Sequence, residues 1–298
     1  MKPSVPPPID GVGASRVQLR PRDGATVLDA LVTRFPSVDR ATWVSRFARG
    51  RVLDTRGCVL DASTRLSIGG DVYYYREVLD EQICTGVEAL VHVDDDIAVV
   101  DKPHGLAVMP AGRFATDTLL ARLVRRLGIA DAVPLHRIDR ETAGLVMFSL
   151  RPETRDAYAA LFRERRIHKR YEAIAPALPA MMFPVERSSR IERGEPFYAM
   201  REVEGAANSR SRIDVIERIG ESWRYALEPV TGRKHQLRLH MAALGAPIAG
   251  DRIYGPSSER AGEDVGAPLK LLARALAFDD PMTGHRHSFE SAFRLQIE

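Results

Sequence analysis

The run "GLVMFSL" at residues 144–150 shows neither polar alternation nor a helical period. At this length it is a strand with both faces covered rather than a helix. Such a strand needs neighbours on either side and other elements over its faces, so the chain must build a substantial sheet. Directly before it stands "PLHRIDRETA", where Asp139 sits two residues after Arg137 and one before Arg140, with His136 and Glu141 close by. A carboxylate at the mouth of a buried strand, surrounded by donors, is held still by charge-assisted hydrogen bonds. Two uses fit it: a turn aspartate bridging two arginines, or a group that acts on a ligand.

The 298 residues suffice for one large domain, or for a small domain joined to a larger one. The net charge of +3, from 43 basic and 40 acidic side chains, does not by itself mark a nucleic-acid binder. Basic charge is concentrated locally, with seven Lys/Arg against three Asp/Glu in 151–170. That run is either a solvated helix face or a phosphate-binding surface. Cys58 and Cys84 are the only cysteines, too few for a disulfide framework or a thiolate metal site, so a reducing cytoplasm is expected. The start "MKPSVPPPIDG" has prolines where a signal peptide needs an apolar core, and 1–15 are expected to form a flexible tail. No apolar run approaches membrane-spanning length.

Residues 26–50 predict two short helices, from Val27, Leu28, Leu31, Val32 and Phe35 and then Trp43, Val44 and Phe47 at helical spacing. Two short β-segments follow, bent at Arg56-Gly57 and Gly69-Gly70. Residues 16–78 therefore form a small α/β module, with 79–89 as linker. From residue 90 the pattern changes. "ALVHVDDDIAVVDKP" predicts a hairpin turning at Asp94–Asp96, and "TDTLLARLVRRLG" an amphipathic helix capped by Thr116 or Asp117 and stopped by Gly128. Pro152 suits the first turn of the next helix. "KRYEAIAPAL" and "SRIDVIERIGESWRYALEP" predict strands, and "HQLRLHMAALG" a helix with Leu237, Met241 and Leu244 on one side. Hairpin strands with irregularly interspersed helices make 90–298 an α+β domain with a mainly antiparallel, mixed sheet and flanking helices.

"HRIDRETAGL" resembles the signature of the RluA-type RNA pseudouridine synthases, usually His-Arg-Leu-Asp-Arg-x-Thr-Ser-Gly-Leu. "DKPHGLAV" (101–108) resembles that family's Lys-Pro-x-Gly loop, and "HKRYEAI" (168–174) its Lys-x-Tyr strand. "LEPVTGRKHQLRLHMAALGAPIAGDRIYG" (227–255) resembles its Thr-Gly-Arg-x-His-Gln-Ile-Arg-x-His segment and Gly-Asp-x-x-Tyr-Gly tail. The four segments stand in the family's order over about 90–298. Ile138 and Ala143 replace the usual Leu and Ser, and "EGAANSRSRI" (204–213) departs from the usual Lys-x-Ala-x-Thr run. The preceding module resembles the small S4-like RNA-binding domain, more loosely. Arg46, Arg49 and Arg51 match its basic helix, while its Asn-Gly turn becomes Arg56-Gly57.

The resemblance implies isomerisation of uridine to pseudouridine in structured RNA, a ribosomal or transfer RNA stem-loop, by a chain that is monomeric by default. The glycosidic bond breaks, uracil rotates and a ring carbon rejoins the sugar. This is redox-neutral and implies no cofactor. A carboxylate must lie against the ribose as the bond stretches. Asp139 matches it, as nucleophile or base, and Arg238 matches its pairing arginine. Arg137 matches the side chain that fills the gap left by a flipped base, and Tyr171 the aromatic that stacks on uracil and assists proton removal. Lys102, Arg140, Thr142, Lys169, Arg233 and His235 are expected to be loop anchors or RNA phosphate contacts. Gly144 and Gly232 serve backbone geometry. Two other readings have distinct signatures. A catalytically silent RNA-binding or chaperone protein would have little need of Asp139, Tyr171 and Arg238 together. A zinc hydrolase would need paired imidazoles, but His235 and His240 stand five apart rather than four, so no metal site is expected.

Overall fold

The computed structural model describes residues 5–66, 68–78, 80–255 and 268–297. It divides into two compact units, Met1–Gln82 with Met109–Ala130, and Ile83–Val108 with Asp131–Glu298. The sequence boundaries had assigned 109–130 to the larger domain.

In the first unit, β1 (Ser15–Leu19), β2 (Val52–Leu53) and β3 (Gly70–Tyr74) form a three-stranded sheet in the order β1-β3-β2. Helix α1 (Val27–Arg34) begins where the Thr26 side chain accepts from the Asp29 amide at 3.1 Å and Asp29 reaches back to Thr26, a capping box. Helix α2 (Arg40–Ala48) is capped by Asp39. Leu28, Leu31, Trp43, Phe47 and Val72 form the core. Helix α3 (Leu119–Leu127) starts at Thr118, one or two residues beyond the expected cap, and Gly128 closes it at φ 71°. Glu81 accepts from the Ala115, Thr116 and Asp117 amides before it, at 2.8–3.0 Å. The expected tail is tied down beyond its first four residues, which lie outside those described. Tyr75 donates its hydroxyl to the Pro7 carbonyl at 2.6 Å, and Val12 is buried. Arg46 is buried against the Trp43 ring, and Arg49 forks onto Glu77 at 2.6 and 2.7 Å, with Arg51 at 3.4 Å from the same carboxylate. The three arginines that match the basic helix thus all pair with Glu77 inside their own unit.

The second unit holds β4 (Ala89–Val93), β5 (Ile97–Lys102), β6 (Val133–Pro134), β7 (Ala143–Ser149), β8 (His168–Pro176), β9 (Val185–Arg193), β10 (Met200–Val203), β11 (Ser209–Ile219), β12 (Ser222–Pro229), β13 (Leu271–Asp279) and β14 (Arg286–Glu290). They make one sheet in the order β10-β9-β11-β12-β8-β13-β7-β5-β4, with β14 on β13 and β6 on β7. All pairings are antiparallel except β7 with β13, so the expected mainly antiparallel α+β architecture is present. Every residue of β7 is buried, as its unbroken apolar run requires. Helix α4 (Arg155–Arg163) lays Tyr158 and Leu161 on Met147 and Leu276; its cap is Thr154, leaving Pro152 before the helix. Helix α5 (Gln236–Ala243) packs Leu237 and Met241 onto Ala173, Tyr225 and Leu227. Of the expected linker, residues 83–89 belong to this unit, with the Cys84 thiol 3.4 Å from the His104 carbonyl. Among the described residues no helix is long and apolar enough to cross a membrane.

The parallel seam requires Gly144. It sits at φ 109°, and a Cβ there would lie 2.2 Å from the Ala273 carbonyl oxygen. Gly232 has open space around it, and its geometry does not demand glycine.

Candidate active site

Asp139 lies in the loop entering β7, in a turn closed by the Thr142 amide donating to the Asp139 carbonyl at 3.1 Å. The Lys-Pro loop after β5 supports that turn. The Lys102 ammonium donates to the carbonyls of Pro103, Leu106 and Arg140 at 2.9, 2.8 and 3.0 Å, and the Gly105 amide reaches the Arg140 carbonyl at 2.9 Å. His104 Nδ1 meets the Glu141 carbonyl at 2.6 Å. Burial lowers the Lys102 amine to about 7. It lowers His104 as well, so this imidazole is neutral and donates through Nδ1. On the other side, His136 Nε2 accepts from the Met147 amide at 3.0 Å, and burial pushes its pKa down to about 3. The loop is therefore braced against β7 and against the 102–106 segment.

The Asp139 side chain is 25% exposed, open enough to meet a ligand. Arg238 of α5 donates Nη1 to Asp139 Oδ2 at 3.2 Å, while Nε and Nη2 fork onto Asp251 at 2.7 and 2.8 Å. Burial opposes both charges of that second pair. The Asp251 hydrogen bonds and charge, with Asp139 adding, hold Arg238 above the usual arginine range. The Arg238 contacts and the Tyr254 and Ile253 amides hold Asp251 below the usual carboxylate range. His235, at φ 56° ahead of α5, places Nε2 at 3.7 Å from Asp139 Oδ1 and Nδ1 at 2.7 Å from the Tyr254 hydroxyl. The Asp139 charge favours the ring proton on Nε2, and the Tyr254 hydroxyl, which accepts from the Met200 amide at 2.8 Å, then donates its own proton to Nδ1. Burial lowers the His235 pKa despite the Asp139 charge. The neutral ring thus carries its proton on Nε2, facing Asp139. Tyr254 is itself pushed up to about 12 by burial, and its ring lies 5.3 Å from the Arg238 guanidinium carbon.

Tyr171, on β8, is half-buried beside the α5 core. Burial, and then the Asp139 charge, raise its phenol above the usual tyrosine value, so it faces the site as a neutral aromatic. Arg137 is exposed and has no side-chain partner among the described residues. Arg140 pairs with Glu141 at 3.0 Å, and exposed Arg233 donates to the Asn208 carbonyl at 3.2 Å. For two residues the RNA-contact alternative is corrected in favour of the loop-anchor one. Lys102 is fully buried and its three protons are used, so it braces the Asp139 loop and does not reach a phosphate. Thr142 is 2% exposed and serves the turn.

Asp251 and Tyr254 stand in the "GDRIYG" segment but were given no role from sequence. Gln236 was passed over too. Its carbonyl oxygen accepts from Thr231 and from the Arg233 amide at 2.6 and 3.1 Å, and its amide donates to the Arg210 carbonyl at 3.0 Å, which fixes the turn leading to His235. His240 is fully buried among Ser189, Ser209 and Ser211, with ring-to-hydroxyl distances of 3.0–3.1 Å. His235 and His240 serve different partners, and among the described residues no group of three His, Cys, Asp or Glu is placed to hold a metal. The arrangement presents a carboxylate pinned by a buried guanidinium, an aromatic ring on β8 that feels its charge and, two residues before Asp139 in the chain, a guanidinium unpartnered among the described residues. It can stabilise positive charge on a sugar, or attack it, while a flat base rests on the ring.

The model of the RNA pseudouridylate synthase family matches residues 96–243, which include Asp139, Tyr171 and Arg238. A dual-specificity RNA pseudouridine synthase RluA of Pasteurella multocida is 33% identical over 68% of this chain and 91% of its own. The RluA of Escherichia coli is 34% identical with the same shares, and an uncharacterized RNA pseudouridine synthase of Synechocystis is 30% identical over 77% and 79%. Among solved structures, human RNA Pseudouridylate Synthase Domain Containing 1 superposes with a TM-score of 0.58 at 25% identity, covering 70% of this chain and 84% of that one. The chain belongs to the RluA-type RNA pseudouridine synthases, isomerases that convert uridine in RNA to pseudouridine.

Proposed function

We propose that the enzyme acts on a uridine of a structured ribosomal or transfer RNA stem-loop, flipped out of its stack and seated with its ribose on Asp139. The Asp139–Arg238 pair at 3.2 Å carries this reading, because it holds a partly exposed carboxylate in a fixed direction with a cation that cannot lose its charge. Asp139 acts on the ribose, as nucleophile or base. Tyr171 stacks on the uracil and assists removal of the proton from its ring carbon. Arg137, exposed and unpartnered among the described residues, enters the gap in the stack and offsets part of the few kcal/mol that unstacking costs. Arg140, Arg233, His235 and Lys169 are left as RNA contacts, with His235 also orienting Asp139.

The names of the relatives support a transfer RNA target and more than one specificity. Dual-specificity RluA enzymes are among them, and so is a tRNA pseudouridine(32) synthase of yeast mitochondria, 32% identical over 59% of this chain. Residues 16–78 serve as an S4-like RNA-binding domain in this reading, and two unbridged cysteines suit a cytoplasmic enzyme. No observation favours the silent RNA-binding alternative. Pseudouridine mapping in total RNA from cells with and without the gene tests the proposal. Sites that vanish with the gene identify the RNA, and an unchanged map overturns the assignment.

A further inference from the structure

The seven basic residues of 151–170 do not remain a uniform patch in the fold. Arg151 lies 3.8 Å from Asp96, Arg155 donates to the Asp131 carbonyl at 2.6 Å, and Arg163 lies 3.3 Å from Asp156. Arg166 lies 3.0 Å from Glu164 and Arg170 lies 3.7 Å from Glu290. Arg165 and Lys169 alone in this run have no side-chain hydrogen bond or ion pair among the described residues. Both line the same cleft, about 290 Å³ in volume, whose apolar side is Phe162 and Ile167. The rest of its lining is Arg166, His168, Glu228, Pro229 and Val230, and the carboxylate of Glu228 is 4.0 Å from His168.

The cleft adjoins the active site. Lys169 and Tyr171 are two apart on β8, so their side chains leave the same face about 7 Å apart. From the other side, the His136 ring of the Asp139 loop stacks on Phe162, with centroids 4.7 Å apart and planes at 22°. An unpartnered ammonium that is half withdrawn from water is unfavourable alone and favourable beside an anion. Burial, and then Arg165, push the Lys169 amine below its usual value, which an anion in the cleft would reverse.

We propose that this cleft is a phosphodiester subsite, with Arg165 and Lys169 gripping an RNA phosphate next to the uridine held at Asp139. The proposal rests on the RNA-modifying reading above and adds where the strand runs: from the Tyr171 ring along β8 toward the α4–β8 turn. The ammonium supplies a point charge and the guanidinium a two-pronged donor to the same or the adjacent phosphate.

The test compares the full-length wild type, the double variant Arg165→Gln/Lys169→Met and the single variant Lys169→Arg. Binding to bulk transfer RNA prepared from cells lacking the gene is measured across salt, with pseudouridine formation followed in parallel and thermal melting confirming the fold. Two lost phosphate contacts should reduce the logarithmic salt slope by about 1.8 on duplex or 1.4 on single strand, so the affinity lost between roughly 50 and 200 mM salt shrinks about 7- to 12-fold. Lys169→Arg should keep the wild-type slope. An unchanged slope in the folded double variant overturns the subsite even if wild type makes product. A reduced slope supports it even if this RNA yields no product, which would count against the substrate assignment alone. Saturation of the wild type by micromolar inorganic phosphate would assign the cleft to a small ligand and overturn the proposal.

Discussion

Asp251 engages two of the three guanidinium nitrogens of Arg238, Nε and Nη2 at 2.7 and 2.8 Å, which leaves Nη1 directed at Asp139 at 3.2 Å. The fork fixes the plane of the guanidinium, and the plane fixes where Asp139 meets its cation. Asp251 is in turn held by the Ile253 and Tyr254 amides at 2.8 and 2.9 Å. The direction of the Asp139 carboxylate is therefore set by a residue that need not touch the substrate.

Asp251→Asn should lower turnover about 100-fold, the scale expected when a reacting group is misplaced by about 1 Å. It should also destabilise the fold by roughly 3–5 kcal/mol, because it breaks a buried pair. Single-turnover rates at saturating RNA, measured at low temperature on folded protein, check the first effect. An unchanged rate would remove Asp251 from the positioning of Arg238.

Lys102→Met should reduce turnover while leaving the salt dependence of RNA binding unchanged, since the ammonium is spent on three carbonyls. Leaving those carbonyls unpaired costs about 1–3 kcal/mol for each one kept from water. A reduced salt slope would restore Lys102 to the phosphate-contacting set.

Tyr254→Phe removes the hydroxyl that joins the Met200 amide to His235 Nδ1. The proton on His235 is then free to move to Nδ1, leaving an acceptor nitrogen facing Asp139. Turnover should fall about 2- to 10-fold, the worth of one net hydrogen bond, with RNA affinity retained. Loss of affinity with unchanged turnover would show that the tyrosine serves RNA contact instead.

His240 predicts the shape of acid unfolding. Burial lowers its pKa from 6.5 to about 4. Below 6.5 the unfolded chain takes up this proton while the folded chain does not, so stability falls as pH drops from 6.5 toward 4. The loss is about 3 kcal/mol at full extent, and His136, depressed further, titrates in the same direction. Urea midpoints between pH 7 and 4 should fall less in His240→Asn than in wild type. Parallel curves would contradict the buried neutral imidazole.

Much of this site was legible in the chain because its chemistry lies in short contiguous segments. The unbroken run 144–150 demanded a covered strand, and Asp139, Tyr171 and Arg238 came from motifs that the fold brings around one loop. Which of its two expected roles Lys102 takes was not legible, because a lysine at a strand end can point either way, and its three carbonyls come from the 103–106 loop and from Arg140, 38 residues later. The same holds for Thr142, since its burial follows from β7 pairing on both sides. Asp251 and Tyr254 stood in a recognised segment, but their work depends on α5, whose Arg238 stands 13 residues before Asp251 in the chain, turning back onto them. The basic run at 151–170 showed its charge plainly. Which cations stay unpartnered was set by carboxylates and carbonyls as distant as Asp96 and Glu290.

Asp139→Asn most directly tests the central claim, that one pinned carboxylate performs the chemistry on the ribose. The variant and wild type are each incubated with RNA from cells lacking the gene, and RNA binding and pseudouridine are quantified on the same samples. The account predicts retained binding with product below detection over times in which wild type converts its target uridine completely. Product at the wild-type rate from Asp139→Asn would contradict it.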